Sequence, residues 1–146
     1  NMRKSGTNFV TPISHRKKRK ILTPEAIQAY WSAVLKQEAA AIYPFFTENA
    51  IIKWHNTNEC FTVPEFVYAN CAYPGDWDGE IEKLLLFENQ AITVTHVFSA
   101  DKTLSLHVTS FMRLKEDKII AIDEYWGDDG DAPKWRRDLK IGKRIQ

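Results

Sequence analysis

The chain has 146 residues, a net charge of +1 and 44% hydrophobic residues, which is the composition of one globular domain with a sizeable core. No apolar run approaches the roughly 18 residues of a membrane-spanning helix, and no apolar stretch of a secretory signal follows the N-terminal charges, so we expect no membrane association. The two cysteines, Cys60 and Cys71, lack metal-ligand spacing, which favours free thiols over a disulfide and predicts a cytoplasmic protein.

The basic charge is concentrated near the N-terminus, and we interpret residues 1–21 as an arm outside the folded domain. The first 20 residues carry a charge of +7, which leaves about −6 for the remainder of the chain. The run His-Arg-Lys-Lys-Arg-Lys at residues 15–20 could contact nucleic acid or an anionic membrane. Because the run has no interleaved aromatic residues and the rest of the chain is acidic, we expect a solvated arm and no nucleic-acid partner.

Two helices are predicted in the first half of the chain. At residues 23–25, Thr-Pro-Glu supplies an N-cap, a proline at the first helical position and an acid at the positive end of the helix dipole. An apolar stripe at helical spacing follows and predicts a helix that ends near Tyr43, because Pro44 disfavours helical geometry in the residue before it. A second helix is expected to start at residues 63–66 and to end before the turn at Pro74.

One strand is predicted between the two helices, and the other strands follow the second helix. We predict strands at residues 50–56, 80–88 and 91–99, and a long hairpin over residues 103–126. Runs of helix followed by runs of strand indicate an α+β fold. We therefore expect a cone-shaped, curved sheet, antiparallel or mixed, with the helices packed on its concave face.

The hairpin is predicted to line the cavity of the cone. Apolar residues alternate along its first strand, and a two- or four-residue turn pairs Leu114 with Ile119, so that Ser110 faces Asp123. A three-residue loop before the hairpin places His96 opposite Leu106 on the same inner face. The predicted inner face includes Val108, Ser110, Met112, Asp123, Tyr125 and His96. A three-residue turn within the hairpin would instead send Asp123 to the opposite face.

The opposite face of the hairpin is also predicted to be apolar. A patch of this kind is too large to leave in water, so we expect a second subunit or the C-terminal tail to cover it. The residues predicted on this outer face are His107, Phe111, Ile120, Ile122 and Trp126.

Two segments carry a resemblance to a known family. Phe-Phe-Thr-Glu-Asn-Ala-Ile-Ile-Lys-Trp-His at residues 45–55 and Lys-Ile-Ile-Ala-Ile-Asp-Glu-Tyr-Trp at residues 118–126, in this order of elements, resemble the nuclear-transport-factor-two-like superfamily and its SnoaL-like branch. The resemblance covers residues 22–127 and leaves a tail, residues 128–146, that we expect to pack on the domain or on a dimer partner. It implies a homodimer formed through the outer face. The superfamily includes ketosteroid isomerases, polyketide cyclases, epoxide hydrolases, dehydratases and binding-only members, so it does not determine the activity.

The resemblance also implies candidate catalytic residues. The isomerase branch has two acids where this chain has Trp54 and Ser110, which argues against the chemistry of that branch, while a tyrosine of its first helix matches Tyr30. The cyclase-like branch uses an acid on the last strands, and Asp123 could act there as a general acid/base with a pKa raised by apolar surroundings. Tyr125 and His96 would then donate hydrogen bonds to a developing enolate. The alternative is a polar cluster that bonds only to itself and to water.

A second cluster lies at residues 54–59, where the first strand ends. His55 and Glu59 could form an acid/base pair; the alternative, which we favour, is a hydrogen-bonded corner. Two scattered ligands do not make a metal site, so we expect neither a metal nor another cofactor. The residues predicted to bind a small, largely apolar ligand are Tyr30, Trp54, His55, Glu59, Val108, Ser110 and Met112. The sequence leaves open a cyclase- or isomerase-type enzyme, a binding-only domain, and an adaptor that acts through the basic arm.

Overall fold

The computed structural model describes residues 21–145, so the predicted basic arm lies, except for Ile21, outside the described residues. The helices are α1 (Pro24–Leu35), α2 (Ala39–Ile42), α3 (Val63–Ala72) and α4 (Lys134–Asp138). The strands are β1 (Phe46–Trp54), β2 (Glu59–Thr62), β3 (Trp77–Leu86), β4 (Gln90–Ser99), β5 (Ser105–Lys115) and β6 (Lys118–Asp128). None of the helices within residues 21–145 combines the length and the hydropathy that a membrane span requires.

The six strands form one mixed sheet in the order β2-β1-β6-β5-β4-β3. β1 pairs with β6 in parallel, whereas each of the other described pairs is antiparallel. Helices α1 and α3 cover one side of the sheet, which we call the inner face, and the uncovered side is the outer face. The core between helices and sheet contains Ile27, Trp31, Ile52, Phe66 and Met112. The predicted α+β fold, with its curved mixed sheet, is therefore confirmed.

Helix α1 starts as predicted but is shorter than expected. Thr23 Oγ1 accepts a hydrogen bond from the Ala26 N–H at 3.1 Å, which caps the N-terminus. The helix ends at Leu35 because Gln37 adopts a left-handed backbone with φ of 57°, and the short helix α2 follows. The Gln37 side chain donates hydrogen bonds to the carbonyls of Asn70 and Tyr73, which ties the end of α1 to the end of α3.

The predicted faces of β4 are wrong. Its buried side chains include Thr93 and Thr95, so His96 lies on the outer face and not on the inner one. The loop before β5 spans residues 100–104, and it pairs His96 with His107 rather than with Leu106. Of these two threonines, Thr93 has a tertiary partner: the Trp31 indole N–H donates to its Oγ1 at 3.2 Å. Within residues 21–145, the buried hydroxyl of Thr95 has no hydrogen-bond partner.

The predicted register of the β5–β6 hairpin is correct at its turn and wrong beyond it. Leu114 pairs with Ile119 as expected, but a β-bulge then shifts β6 by one residue, and Arg113 pairs with Ala121. Ser110 therefore faces Glu124 instead of Asp123. The bulge moves Asp123 and Tyr125 to the outer face and brings Ile122, Glu124 and Trp126 to the inner face.

The same register shift means that only part of the predicted outer face is correct. Phe111 and His107 lie there, but Ile122 is buried in the core, and Trp126 points to the inner side. The described part of the tail, residues 128–145, is exposed throughout, so its packing on a dimer partner stays a prediction.

Candidate functional site

A cavity of about 340 Å³ opens between the inner face of the sheet and the ends of α1 and α3. Its walls are strongly aromatic: four of the five tryptophans of the chain contribute to it. The aromatic lining residues are Trp31, Trp54, Tyr73, Trp77 and Trp126. Because Trp31 is buried while Glu59 and Asp128 are exposed, the tryptophan marks the floor of the cavity and the two acids mark its mouth.

The charged residues that line the cavity within residues 21–145 are all acidic. Glu59 and Asp128 line it, and no lysine, arginine or histidine within residues 21–145 does. The neutral polar lining residues are Gln37, Asn56, Thr57 and Asn70. An aromatic pocket with this lining disfavours an anionic ligand and accepts a neutral or a positively charged one.

A buried acid, Glu124, lies behind two of the cavity tryptophans. Its side chain is 2% exposed. Its Oε2 accepts a hydrogen bond from Ser110 Oγ at 2.6 Å, and its Oε1 accepts from the indole N–H of Trp54 at 3.0 Å and of Trp126 at 3.4 Å. Three donors thus satisfy both oxygens of a carboxyl group that has no contact with bulk water.

Burial raises the pKa of Glu124, and the three hydrogen bonds oppose that rise because they favour the ionised form. The nearby phenol of Tyr30 is buried as well. Burial raises the pKa of Tyr30 well above its ordinary value, and the charge of Glu124 raises it further. For both groups, burial therefore shifts the proton equilibrium toward the protonated form relative to the same group in water.

Strand pairing explains why these groups meet. The parallel β1–β6 register places Trp54 opposite Glu124, and the antiparallel β5–β6 register places Ser110 opposite Glu124 from the other side. Trp126 follows two residues along β6 and so shares the inner face. The Trp54 ring packs edge-on against Phe61, with centroids 4.7 Å apart, which holds the indole in its orientation.

The structure brings together only part of the predicted site. Trp54 and Glu59 line the cavity, and Ser110 bonds to the buried acid. The other predicted inner residues are present but enclosed in the core: Tyr30, Val108 and Met112. The sequence analysis missed Glu124 itself, although the alternation of Ile122, Glu124 and Trp126 was a signal for the correct face.

The other predicted residues lie on the outer face. His55 Nε2 is 2.6 Å from Asp123 Oδ1, and the His55 ring stacks on Tyr125 with centroids 4.4 Å apart. The predicted His55–Glu59 pair does not form, since Glu59 accepts instead from Thr57 Oγ1 at 2.8 Å. Within residues 54–59, a hydrogen bond therefore holds Glu59 to Thr57, while Trp54 and Glu59 line the cavity.

Comparison with known proteins agrees with the architecture. Neither a family model nor a curated protein matches the chain. A candidate ketosteroid isomerase from Kribbella flavida is 18% identical, with a TM-score of 0.67 over 82% of this chain and 87% of that chain. A protein of unknown function from Burkholderia xenovorans, described as similar to nuclear transport factor two, is 20% identical, with a TM-score of 0.68 over 84% of this chain and 94% of that one. The chain has the nuclear-transport-factor-two-like fold.

Other structures with the nuclear-transport-factor-two-like fold include a trimethylamine complex and candidate polyketide cyclases. A protein with a ketosteroid isomerase-like fold from Catenulispora acidiphila, in complex with trimethylamine, is 14% identical, with a TM-score of 0.62 over 70% of this chain and 85% of that chain. Candidate polyketide cyclases, one of them SnoaL-like, also match. At these sequence identities the structural similarity establishes the fold alone, and this is the fold that the sequence resemblance predicted. The function has to be argued from the residues of the cavity.

Proposed function

We propose that this chain binds a small organic molecule in its tryptophan-lined cavity. The observation that carries the proposal is the cavity itself: about 340 Å³ with aromatic walls and a few convergent polar groups. These are the features of small-molecule sites in general, and the volume suits a ligand of modest size. Binding is favoured over catalysis because Glu124, the buried acid beside the cavity, has both oxygens engaged by protein donors.

The ligand class that fits the cavity is a small alkylammonium cation. The sequence analysis expected a largely apolar ligand; this class keeps apolar methyl groups and adds a positive charge, which is attracted to the faces of the indole rings. Trp54 and Trp126 donate their N–H groups to Glu124, which polarises both rings in the direction that strengthens this attraction. The trimethylamine complex from Catenulispora acidiphila, which has the same fold, adds support.

Calorimetric titration with a matched pair of ligands tests whether the cavity prefers an alkylammonium cation. We expect choline to bind the wild-type protein about tenfold or more tightly than its neutral isostere 3,3-dimethylbutan-1-ol, because only the cation gains from the indole faces and the rim carboxylates. Trp126→Leu should weaken choline binding, whereas Trp135→Leu, which removes an exposed tryptophan outside the cavity, should not. Equal affinities for choline and its neutral isostere would contradict the proposal that the ligand is a cation. Equal choline affinities of Trp126→Leu and Trp135→Leu would contradict the proposal that the cavity is the binding site.

A second candidate function is general acid/base catalysis of the cyclase or isomerase kind. The raised pKa of Glu124 favours it, since a carboxyl group with a pKa moved toward neutrality can exchange protons with an enolisable ligand. In this candidate function Glu124 is the general acid/base, the role that the sequence analysis assigned to Asp123. Glu124→Gln should retain ligand binding and lose turnover of an enolisable ketone panel; turnover at the wild-type rate in this variant would exclude the role.

Homodimerisation through the outer face remains a proposal, together with a cytoplasmic location. The exposed apolar side chains of that face include Phe111, Leu85 and Tyr125, the last of which the bulge moved outward. We expect a dimer mass in sedimentation and a monomer mass for Tyr125→Glu, because a buried unpaired charge is costly. Tyr68→Glu, at an exposed tyrosine of α3, is the matched control and should leave the dimer intact. A monomeric wild-type protein would contradict the proposal.

A further inference from the structure

Three potential metal ligands meet on the outer face of the sheet. They come from three neighbouring strands: Glu82 from β3, His96 from β4 and His107 from β5. The two histidines are direct cross-strand partners. Glu82 reaches them because it is the extra residue of a β-bulge between Ile81 and Lys83. One possible ligand atom from each of the three side chains lies within 4.8 Å of the others.

A second layer of hydrogen bonds orients both rings. Asp129 Oδ1 lies 2.6 Å from His107 Nδ1, so the ring donates there and its Nε2, 3.1 Å from Glu82 Oε2, is the nitrogen that can bind a metal. Asp129 Oδ2 accepts from Ser105 Oγ at 2.6 Å, and that hydroxyl accepts in turn from His96 Nε2 at 2.8 Å. This leaves Nδ1 of His96 as its ligating atom. A carboxylate behind a histidine ligand is the usual second layer of a protein metal site.

We propose that Glu82, His96 and His107 bind one divalent transition-metal ion, with Zn²⁺ as the best-fitting ion. Two imidazoles and one carboxylate suit Zn²⁺ and its first-row neighbours, whereas Mg²⁺ and Ca²⁺ prefer oxygen ligands throughout. Three protein ligands leave a fourth position for water or for another ligand. The spacing of these residues along the sequence does not indicate the site, because sheet pairing alone assembles it.

Metal binding requires a small rearrangement. The two imidazole rings are stacked, with centroids 4.7 Å apart and planes 9° apart, so both cannot point a lone pair at one ion. One ring must turn, and ligand atoms that lie up to 4.8 Å apart must approach to about 3.3 Å, the separation of two ligands at normal zinc distances in a tetrahedral site. The outer face permits this movement, since both histidine side chains are partly exposed, at 28% for His96 and 40% for His107.

Cobalt absorption spectroscopy on the full chain tests the proposal, with Zn²⁺ competition as the measure of affinity. In a Cys60→Ser, Cys71→Ser background, which removes thiolate ligands, we expect one Co²⁺ per chain with d–d bands that Zn²⁺ abolishes. His107→Gln and Glu82→Gln should each weaken Zn²⁺ binding about 100-fold or more, and Asp129→Asn about 10- to 100-fold through the second layer. His55→Gln is the matched control, because it removes an exposed histidine of the same face that lies outside the cluster.

Two results would overturn the proposal. One is the absence of stoichiometric binding to the Cys60→Ser, Cys71→Ser chain, which would leave Glu82, His107 and Asp129 as an exposed network of ion pairs only. The other is an equal loss of affinity in His107→Gln and His55→Gln, which would place any bound ion elsewhere. The test uses the metal alone, so its outcome is independent of the ligand proposed for the cavity.

Discussion

Replacing Glu124 with alanine is expected to destabilise the protein by about 3 kcal/mol, because the change leaves three buried donors without an acceptor and opens a void between the strands. Glu124→Gln should cost less than about 1 kcal/mol, since its amide retains an acceptor for the indoles and a group that can pair with Ser110. Urea unfolding at neutral pH measures both. Glu59→Gln, at the exposed rim of the cavity, is the control and should change stability by about 0.5 kcal/mol or less.

The pH dependence of the Glu124→Gln effect follows from the raised pKa of Glu124. In the unfolded chain this group titrates near its ordinary pKa of about 4.3, and in the folded protein at a higher pH. Between these two values the folded state binds more protons, so the wild-type protein loses stability relative to Glu124→Gln as the pH rises through that window. A stability difference that stays constant from about pH 4 to pH 8 would contradict the burial of an ionisable carboxyl group.

Gly79→Ala is expected to destabilise the protein by about 2–3 kcal/mol, because it forces a methyl group into a closed space. A Cβ at this position would lie 2.4 Å from the His96 carbonyl oxygen and 3.2 Å from Leu35 Cδ1. The first contact is with backbone, so β3 must move away from β4 to relieve it. Denaturant unfolding measures the effect.

Gly127→Ala is the matched control for that substitution. Gly127 also lies on a strand, and a Cβ there would have no neighbour within 4 Å. We expect a change of about 0.5 kcal/mol or less in either direction. Equal effects at the two glycines would show that β3 does not approach β4 and α1 as closely as the structure indicates.

The hairpin shows how far sequence periodicity predicts this fold. Alternation along β5 predicts its inner face, and the turn predicts the pairing of Leu114 with Ile119. The bulge that follows is a local departure that periodicity does not encode, yet it exchanges the faces of β6 beyond it. One residue of slip is therefore the whole difference between the predicted acid, Asp123, and the observed one, Glu124.

The error at β4 has a different cause. Both of its faces carry residues that can be buried, and the more apolar set, which includes Ile92 and Phe98, lies on the outer face. A tertiary contact, the bond from Trp31 to Thr93, accounts for one of the two threonines that face the core, whereas the Thr95 hydroxyl has no partner within residues 21–145. The sequence could not reveal that contact, and for the same reason it could not reveal that His96 meets His107 on the outer face.

Nuclear magnetic resonance of the five tryptophan indole N–H groups during a choline titration tests most directly that the cavity is the binding site. We expect saturable shifts for the four cavity indoles, largest for Trp54 and Trp126 if the cation lies over the rings held by Glu124, and no shift for the exposed Trp135. Trp135 serves as an internal control in the same sample. The absence of saturable shifts in the cavity indoles, or an equal shift of all five, would contradict the account.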